Sequence, residues 1–307
     1  MKKISIIISL ILVIFITSCS NYYYDQEKLN IVTTTTMLED LANQIGKDKV
    51  SVTALMGVGV DPHLYTPKAK DTEALLKSDF VIYNGLHLEG KMVDVLDKLG
   101  SSKPVLNIGN DVLLKGTVLS DKTGYDPHIW FDVNNWIIAA NSLKDKLIEL
   151  DSINKDFYEL NANNYINKLN DLHEWILNIT TTKLTKEERI LVTAHDAFSY
   201  FGNAYDFEVL SIQGISTVTE ASIKDINNII NLIIDNNVNA IFLESSVSSN
   251  TIMQVLNGAK AKSHPLILGN LLYSDSLGNG EDSEYINAFK YNVNSIISGL
   301  KGEDYEK

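Results

Sequence analysis

A long helical pattern without glycine or proline constrains the fold of this chain more than any other feature. It occupies residues 154–183. Its apolar positions mostly recur at three- and four-residue intervals: Phe157, Leu160, Tyr165, Leu169, Leu172, Ile176 and Ile179. At a rise of 1.5 Å per residue, a helix of this length would span about 40 Å, more than a single lobe requires. We therefore expect residues 151–184 to form a rigid rod that joins two lobes.

On both sides of this pattern, strand-like and helix-like segments alternate. The apolar, β-branched runs before it are 31–35, 50–56, 79–84 and 104–108, and those after it are 190–194, 207–212, 239–243 and 266–268. Alternation of this kind is typical of parallel sheets that are covered by helices. We predict an α/β fold with two Rossmann-like lobes, residues 31–150 and 185–307, and a ligand site in the cleft between them.

Local signals predict where several helices begin and end. Thr36 and Glu39 form a capping-box pattern, and Thr66 followed by Pro67 is typical of a helix start. We expect helices over 86–99, 133–150, 222–235 and 283–300, and a short connection over 111–124. In the 222–235 helix, the residues expected to face inward are Ile223, Ile226, Ile230 and Ile233.

The N-terminus has the pattern of a bacterial lipoprotein signal. Lys2 and Lys3 precede an apolar run, residues 4–16, that is too short to span a bilayer comfortably, and small residues then lead to Cys19. We expect cleavage after residue 18, lipidation of Cys19, and a tether over residues 19–30, which would hold the protein on the outer face of the cell membrane. An ordinary secretory signal with an incidental cysteine is the alternative.

Charge and cysteine content exclude several classes of function. The formal net charge is −13, whereas a nucleic-acid partner would require a basic face. Cys19 is the only cysteine. If its thiol carries lipid, then thiol catalysis, a disulfide and a thiolate metal site are excluded.

Four side chains at the ends of strand-like runs predict a metal site. His63 and His128 lie in two copies of the tripeptide Asp-Pro-His, His195 ends the apolar run 190–194, and Asp275 follows another strand-like segment. In parallel sheets, ligands bind at the carboxyl ends of strands. Three imidazoles and a carboxylate are suitable ligands for a borderline dication such as zinc or manganese.

Other polar residues have less specific patterns. The acids expected to orient the histidine rings are Asp61, Asp126, Asp196 and Glu244. His87, His173 and His264 are more typical of a helix start, an exposed helix position and a turn than of metal ligands. Glu220 is interpreted as a solvated loop acid, and Trp130 as a packing residue.

The chain resembles the metal-binding solute-binding lipoproteins of bacterial zinc and manganese ABC transporters. The segments that carry the resemblance are the lipoprotein signal, Asp-Pro-His-Leu-Tyr-Thr-Pro at 61–67, Asp-Pro-His-Ile-Trp-Phe-Asp at 126–132, His-Asp-Ala-Phe at 195–198, Gln-Gly-Ile-Ser at 213–216 and Tyr-Ser-Asp-Ser-Leu-Gly at 273–278. The resemblance implies one Mn²⁺ or Zn²⁺ per chain, bound between the lobes by His63 and His128 on one side and His195 and Asp275 on the other. It also implies delivery of the ion to an ABC permease by a monomer that is not an enzyme.

The choice of metal stays open. In the family, manganese-specific members often have Glu at the third ligand position, so His195 favours zinc or mixed use. Zinc-specific members often have a long histidine-rich loop between the first two ligands, yet residues 111–124 contain no histidine.

Two other functions are compatible with the same residues. A cell-surface metallohydrolase could use the histidine cluster with Glu220 or Glu244 as a general base, provided that the metal kept an open position. Some family members are described as adhesins, although no residue pattern here indicates a host-binding surface.

Overall fold

The computed structural model describes residues 24–303 and contains parallel strands on both sides of one long helix. The predicted signal (1–18) and Cys19 lie outside the described residues. The strands are β1 Leu29–Thr33, β2 Val50–Ala54, β3 Phe80–Tyr83, β4 Val105–Asn107, β5 Ile190–Thr193, β6 Glu208–Ser211, β7 Ala240–Ile241 and β8 Ile267–Leu268. The helices are α1 Thr36–Gly46, α2 Ala69–Lys77, α3 Val93–Leu99, α4 Ile108–Lys115, α5 Val133–Leu150, α6 Lys155–Lys183, α7 Ser199–Tyr205, α8 Ile223–Asp235, α9 Asn250–Ala261 and α10 Tyr285–Lys301.

The first lobe has a four-stranded parallel sheet in the order β2-β1-β3-β4. The chain moves from β1 outward to β2 and then returns to the other side of β1 with β3. The connections therefore diverge at the carboxyl ends of β1 and β3, which is where ligands bind in open α/β sheets.

The second lobe repeats this arrangement. β5 pairs with β6 and β7 pairs with β8, both in parallel, and the N–H of Phe242 donates to the carbonyl of Val192 at 3.1 Å to join the two pairs. The strand ends correspond as well. The Thr33 hydroxyl donates to the carbonyl of Thr35 (3.2 Å), and the Thr193 hydroxyl donates to that of His195 (2.9 Å). His195 thus has the place in the second lobe that Thr35 has in the first.

Helix α6 is the predicted rod. It has 29 residues, or about 43 Å at 1.5 Å per residue. It packs against α1 and α5 of the first lobe and against α7 and α10 of the second. The buried residues along it are Tyr158, Ala162, Tyr165, Leu169, Leu172, Ile176 and Thr180. A single apolar core therefore runs from one lobe along the helix into the other.

Helix starts are displaced from their predicted positions. Thr35, not Thr36, caps α1 by accepting the N–H of Leu38. The hydroxyl of Thr36 accepts the N–H of Leu277 from the other lobe instead (2.8 Å). Helix α2 begins at Ala69 rather than after Thr66. Tertiary hydrogen bonds thus compete with local capping patterns.

Two segments between the predicted elements also differ. The predicted 86–99 helix is only α3, Val93–Leu99, because Gly85, Leu86 and His87 have left-handed φ angles of 79°, 52° and 65°. The predicted connection over 111–124 begins inside helix α4, which Asn107 caps by accepting the N–H of Asn110. In α8, Ile230 and Ile233 are buried as predicted, but Ile223 is exposed and Ile229 is buried instead.

Among residues 24–303, no helix is both long enough and apolar enough to cross a membrane.

Candidate metal centre

The four predicted ligand side chains meet in one buried cluster between the lobes. His63 comes from the loop between β2 and α2, His128 precedes a 3-10 turn before α5, His195 follows β5, and Asp275 lies between β8 and α10. Their relative exposures are 4%, 0%, 0% and 2%. One potential ligand atom from each lies within 4.8 Å of all the others.

The spacing of these atoms suits a metal ion at their centre. The Nε2 atom of His128 is 3.3 Å from the Nε2 atoms of both His63 and His195. Asp275 carboxylate oxygens lie 3.4 Å from the Nε2 atoms of His128 and His195 and 3.9 Å from that of His63. Ligands held about 2.1 Å from a tetrahedral ion are separated by about 3.4 Å. The chain can therefore supply three nitrogens and a carboxylate to a four-coordinate ion without further rearrangement.

The two Asp-Pro-His tripeptides fold in the same way. The Oδ1 atoms of Asp61 and Asp126 accept the backbone N–H groups of His63 (2.8 Å) and His128 (3.0 Å), respectively. An aspartate that bonds the backbone two residues on makes a compact turn, and the intervening proline restricts that turn further. Asp126 Oδ1 also lies 2.7 Å from Nδ1 of His128, so the other ring nitrogen faces the cluster.

Glu244 has the corresponding role in the second lobe. Its Oε1 atom accepts the backbone N–H of His195 at 2.9 Å, and its Oε2 atom lies 2.6 Å from Nδ1 of the same ring. The carboxylate therefore fixes both the main chain and the ring orientation of a candidate ligand. Ser246 donates from its hydroxyl to Asp275 Oδ2 at 3.2 Å, which leaves Oδ1 facing His128.

Of the four acids expected to orient the histidines, Asp126 and Glu244 contact a histidine ring. Asp61 holds only the backbone of His63, and its second oxygen accepts the hydroxyl of Thr217 from the other lobe at 2.6 Å. Asp196 accepts the hydroxyl of Ser199 at 2.6 Å, at the start of α7.

Burial and the neighbouring carboxylates shift the pKa values of the cluster in opposite directions. Burial lowers the pKa of His63 to about 3. Burial also opposes protonation of His128, but Asp126 and Asp275 outweigh it and raise the pKa to about 9. His195 shows the same balance, with Glu244 and Asp275 raising its pKa. A metal ion binds only the neutral imidazoles, so its binding would displace these protons. The three buried carboxylates, Asp126, Glu244 and Asp275, then give the cluster a net negative charge, which favours a dication.

The remaining candidate residues lie outside the cluster. His87 is exposed in the turn after β3, where its φ angle is 65°. His173 on α6 contacts the hydroxyl of Tyr205 (3.1 Å), and His264 contacts the carbonyl of Val238 (2.7 Å). Glu220 is exposed and lines a cavity of about 750 Å³ between second-lobe residues and the Asp121–Thr123 segment of the first lobe.

Side chains around the cluster also join the two lobes, among them Trp130, which was interpreted from the sequence as a packing residue. Trp130 packs on the edge of His128 and donates from its indole N–H to the carbonyl of Ser274 at 3.1 Å. The N–H of Gly59 donates to the hydroxyl of Ser276 at 2.8 Å. These partners are 144 and 217 residues apart, so no local pattern could have indicated them.

Comparison with known proteins gives consistent matches over nearly the whole chain. The profile of the family described as zinc-uptake complex component A, periplasmic, matches residues 31–299. The manganese-binding lipoprotein MntA of Bacillus subtilis is 38% identical over 279 residues, covering 90% of both chains. The zinc-binding protein TroA of Treponema pallidum is 35% identical over 272 residues, covering 88% of both chains. The solved structure of that periplasmic zinc-binding protein superposes with a TM-score of 0.86, covering 89% of this chain and 99% of the other.

Proposed function

Because the chain belongs to the family of the periplasmic zinc-uptake complex component A, we propose that it captures one manganese or zinc ion outside the cytoplasm and delivers it to an ABC transporter permease. The observation that carries the proposal is the buried convergence of His63, His128, His195 and Asp275 between the lobes. These four side chains are the proposed ligands. Asp126 and Glu244 hold the rings of His128 and His195 from behind.

The geometry favours capture over catalysis. A catalytic metal site keeps an open coordination position for water or substrate. Here each of the four side chains is at most 4% exposed. The exposed Glu220, one of the two candidate general bases, lies in a separate cavity, and the other, Glu244, is already engaged with His195. These contacts do not favour a metallohydrolase, and we propose that the protein is not an enzyme.

The proposed location is the outer face of the cell membrane. Several relatives are named lipoproteins, including the manganese-binding lipoprotein MntA and a metal ABC transporter substrate-binding lipoprotein of Lactococcus lactis. In this chain, Cys19 would carry the lipid, and the residues between it and β1, which begins at Leu29, would connect the anchor to the first lobe. The receptor would act as a monomer that docks on its permease.

Manganese and zinc are both proposed cargo. A site with three imidazoles and one carboxylate accepts either ion, and intrinsic affinity at such a site is greater for zinc. Relatives at similar identity are named for each metal. Selectivity between the two ions in the cell would then depend on the coordination geometry of the site and on how much of each ion is available.

The test is metal content after competition. The chain from Ser20 onward is loaded with equal zinc and manganese, freed of excess ion, and measured by elemental analysis beside His195→Ala. We expect one tight equivalent in the wild type and its loss in the variant. His87→Ala is the matched control, because that histidine is exposed and outside the cluster. A wild-type protein without stoichiometric metal would refute the proposal.

A further inference from the structure

The turn that follows β3, residues 84–89, has an unusual backbone beside the metal centre. Gly85, Leu86 and His87 all have positive φ, and the N–H of Leu88 donates to the carbonyl of Gly85 at 3.0 Å. For residues other than glycine, this left-handed conformation is unfavourable because the Cβ atom comes too close to the following carbonyl oxygen. Such a backbone persists only where its surroundings hold it. We call these six residues the left-handed turn.

Glu89 holds the left-handed turn from inside. The side chain is 1% exposed. Its Oε1 atom accepts the N–H of Asn84 (2.8 Å) and the hydroxyl of Thr34 (2.6 Å), while its Oε2 atom accepts the N–H of Gly85 (3.1 Å). A carboxylate can accept at both ends, whereas a glutamine of the same length can accept at only one.

Helix α4 fixes the turn from the other side. The N–H of Gly109 donates to the carbonyl of Asn84 at 2.7 Å. A Cβ atom at Gly109 would lie 2.6 Å from the Leu86 side chain and 2.8 Å from the Asn84 carbonyl. The turn is therefore in direct contact with the helix, with no space for a side chain between them.

The left-handed turn contacts the loop that carries His128. The side-chain amide of Asn84, which is 1% exposed, donates to the carbonyl of Pro127 at 2.9 Å. Pro127 immediately precedes His128, so this hydrogen bond fixes the peptide from which that imidazole projects. Just beyond the turn, Lys91 donates to the carbonyl of Leu64, the residue after His63, at 3.2 Å.

We propose that Glu89 and Asn84 are positioning residues for the bound metal: Glu89 holds the left-handed turn, and Asn84 uses it to place His128. This inference rests on the proposed function, because it concerns the geometry of the same site. Neither residue contacts the ion. They act through the main chain, and their loss changes how well the ligands fit the metal rather than how many ligands there are.

The experiment uses Co²⁺ as the probe, because its visible absorption reports ligand geometry. Asn84→Ala removes the bond to Pro127 and leaves the Glu89 contacts intact, whereas Glu89→Gln breaks one of the bonds that hold the turn. The matched control is Asn161→Ala, which removes an amide-to-carbonyl bond of the same kind, from α6 to Ile45, away from the metal centre. Metal-free unfolding curves of all variants separate stability from positioning.

We expect Asn84→Ala and Glu89→Gln to bind one Co²⁺ at saturation with an altered absorption spectrum. Release of the ion to a chelator should be about 10- to 100-fold faster than in the wild type, the range typical of residues that support metal ligands. Asn161→Ala should release Co²⁺ at the wild-type rate with an unchanged spectrum. If Glu89→Gln does not fold, Asn84→Ala tests the inference alone.

Lower stability with an unchanged spectrum and release rate would overturn the positioning role. That outcome differs from failure of the proposed function, in which the wild type itself would bind no stoichiometric Co²⁺.

Discussion

Glu244 contacts both the backbone and the ring of His195, so a single residue fixes two properties of one candidate ligand. An acceptor on Nδ1 determines the tautomer and leaves Nε2 free for the metal. Asp126 does the same for His128 within its own tripeptide. Each lobe therefore contributes one histidine whose ring nitrogen is selected by a buried carboxylate.

Replacement of Glu244 by glutamine should weaken metal binding by about 10- to 100-fold, because the amide has a single oxygen and cannot accept from both the backbone and the ring of His195. A competition titration against a chelator of known affinity measures the change. Glu208→Gln is the matched control, since Glu208 is exposed at the start of β6. Equal affinity of Glu244→Gln and wild type would contradict the assigned role.

Asp40 predicts a pH dependence of stability. It lies on α1, accepts the N–H of Tyr285 at 3.0 Å, and burial raises its pKa to about 6. The folded protein therefore holds this proton more tightly than the unfolded chain. The stabilising contribution of the protonated carboxyl is present below about pH 4 and is lost as the pH rises through 6.

Asp40→Asn should remove this dependence while keeping an acceptor for Tyr285. We expect the stability of the wild type relative to the variant to fall by about 2–3 kcal/mol between pH 4 and pH 7. Urea unfolding of the metal-free proteins at several pH values measures it. Parallel stability curves for the two proteins would count against this interpretation.

Which site residues could be predicted from sequence depends on the distance to their partners. The two tripeptides are readable because each aspartate bonds a histidine two residues away. His195 and Asp275 could be predicted as ligands because few strand-like runs in the sequence end in a side chain that can bind a metal. The Asp61–Thr217 bond joins residues 156 apart, and only the assembled lobes bring them together.

Among the elements, the long helices followed the sequence most closely. Helix α5 has the predicted bounds. Helix α6 begins one residue after the start of the helical pattern at 154, whereas the rod was expected from residue 151, and Ser152–Asn154 form a 3-10 turn instead. Both have long apolar periodicity, which local hydrogen bonds do not override. Short elements at the sheet edge were predicted less well. The left-handed turn replaces the first half of a predicted helix because Glu89 bonds the N–H groups of Asn84 and Gly85.

The start of α8 offers a test of capping energy. Ser222 accepts the N–H of Asp225, and the Asp225 carboxylate accepts the N–H of Ser222. Ser222→Ala should lower the free energy of unfolding by about 1 kcal/mol without changing metal stoichiometry. Ser249→Ala is the matched control, because Ser249 precedes α9 without a capping bond from its side chain. A similar loss in both variants would show that capping is not the cause.

At the scale of the whole molecule, the lobes are joined by more than a hinge. Helix α6 packs against both lobes. Hydrogen bonds also cross between them from Leu277 to Thr36, from Trp130 to Ser274 and from Tyr285 to Trp130. Wide hinge closure requires loop residues that absorb large changes in φ and ψ. A continuous helix instead permits small tilts.

Metal-free and metal-bound proteins should therefore give nearly the same small-angle scattering curve. His195→Ala, which should not retain the ion, controls for nonspecific effects of added metal. A large decrease in the radius of gyration of the wild type on metal addition would contradict the rigid connection.

The near-complete burial of His63, His128, His195 and Asp275 affects the rate at which a metal ion is released, and not only the affinity with which it is bound. An ion enclosed by these side chains has no path to a competing chelator until the surrounding loops part. Its residence time then depends on how often the protein opens as well as on how tightly the donors bind. A carrier of this kind keeps its ion bound until the site opens. Binding to the permease then becomes the step that determines when the ion is released.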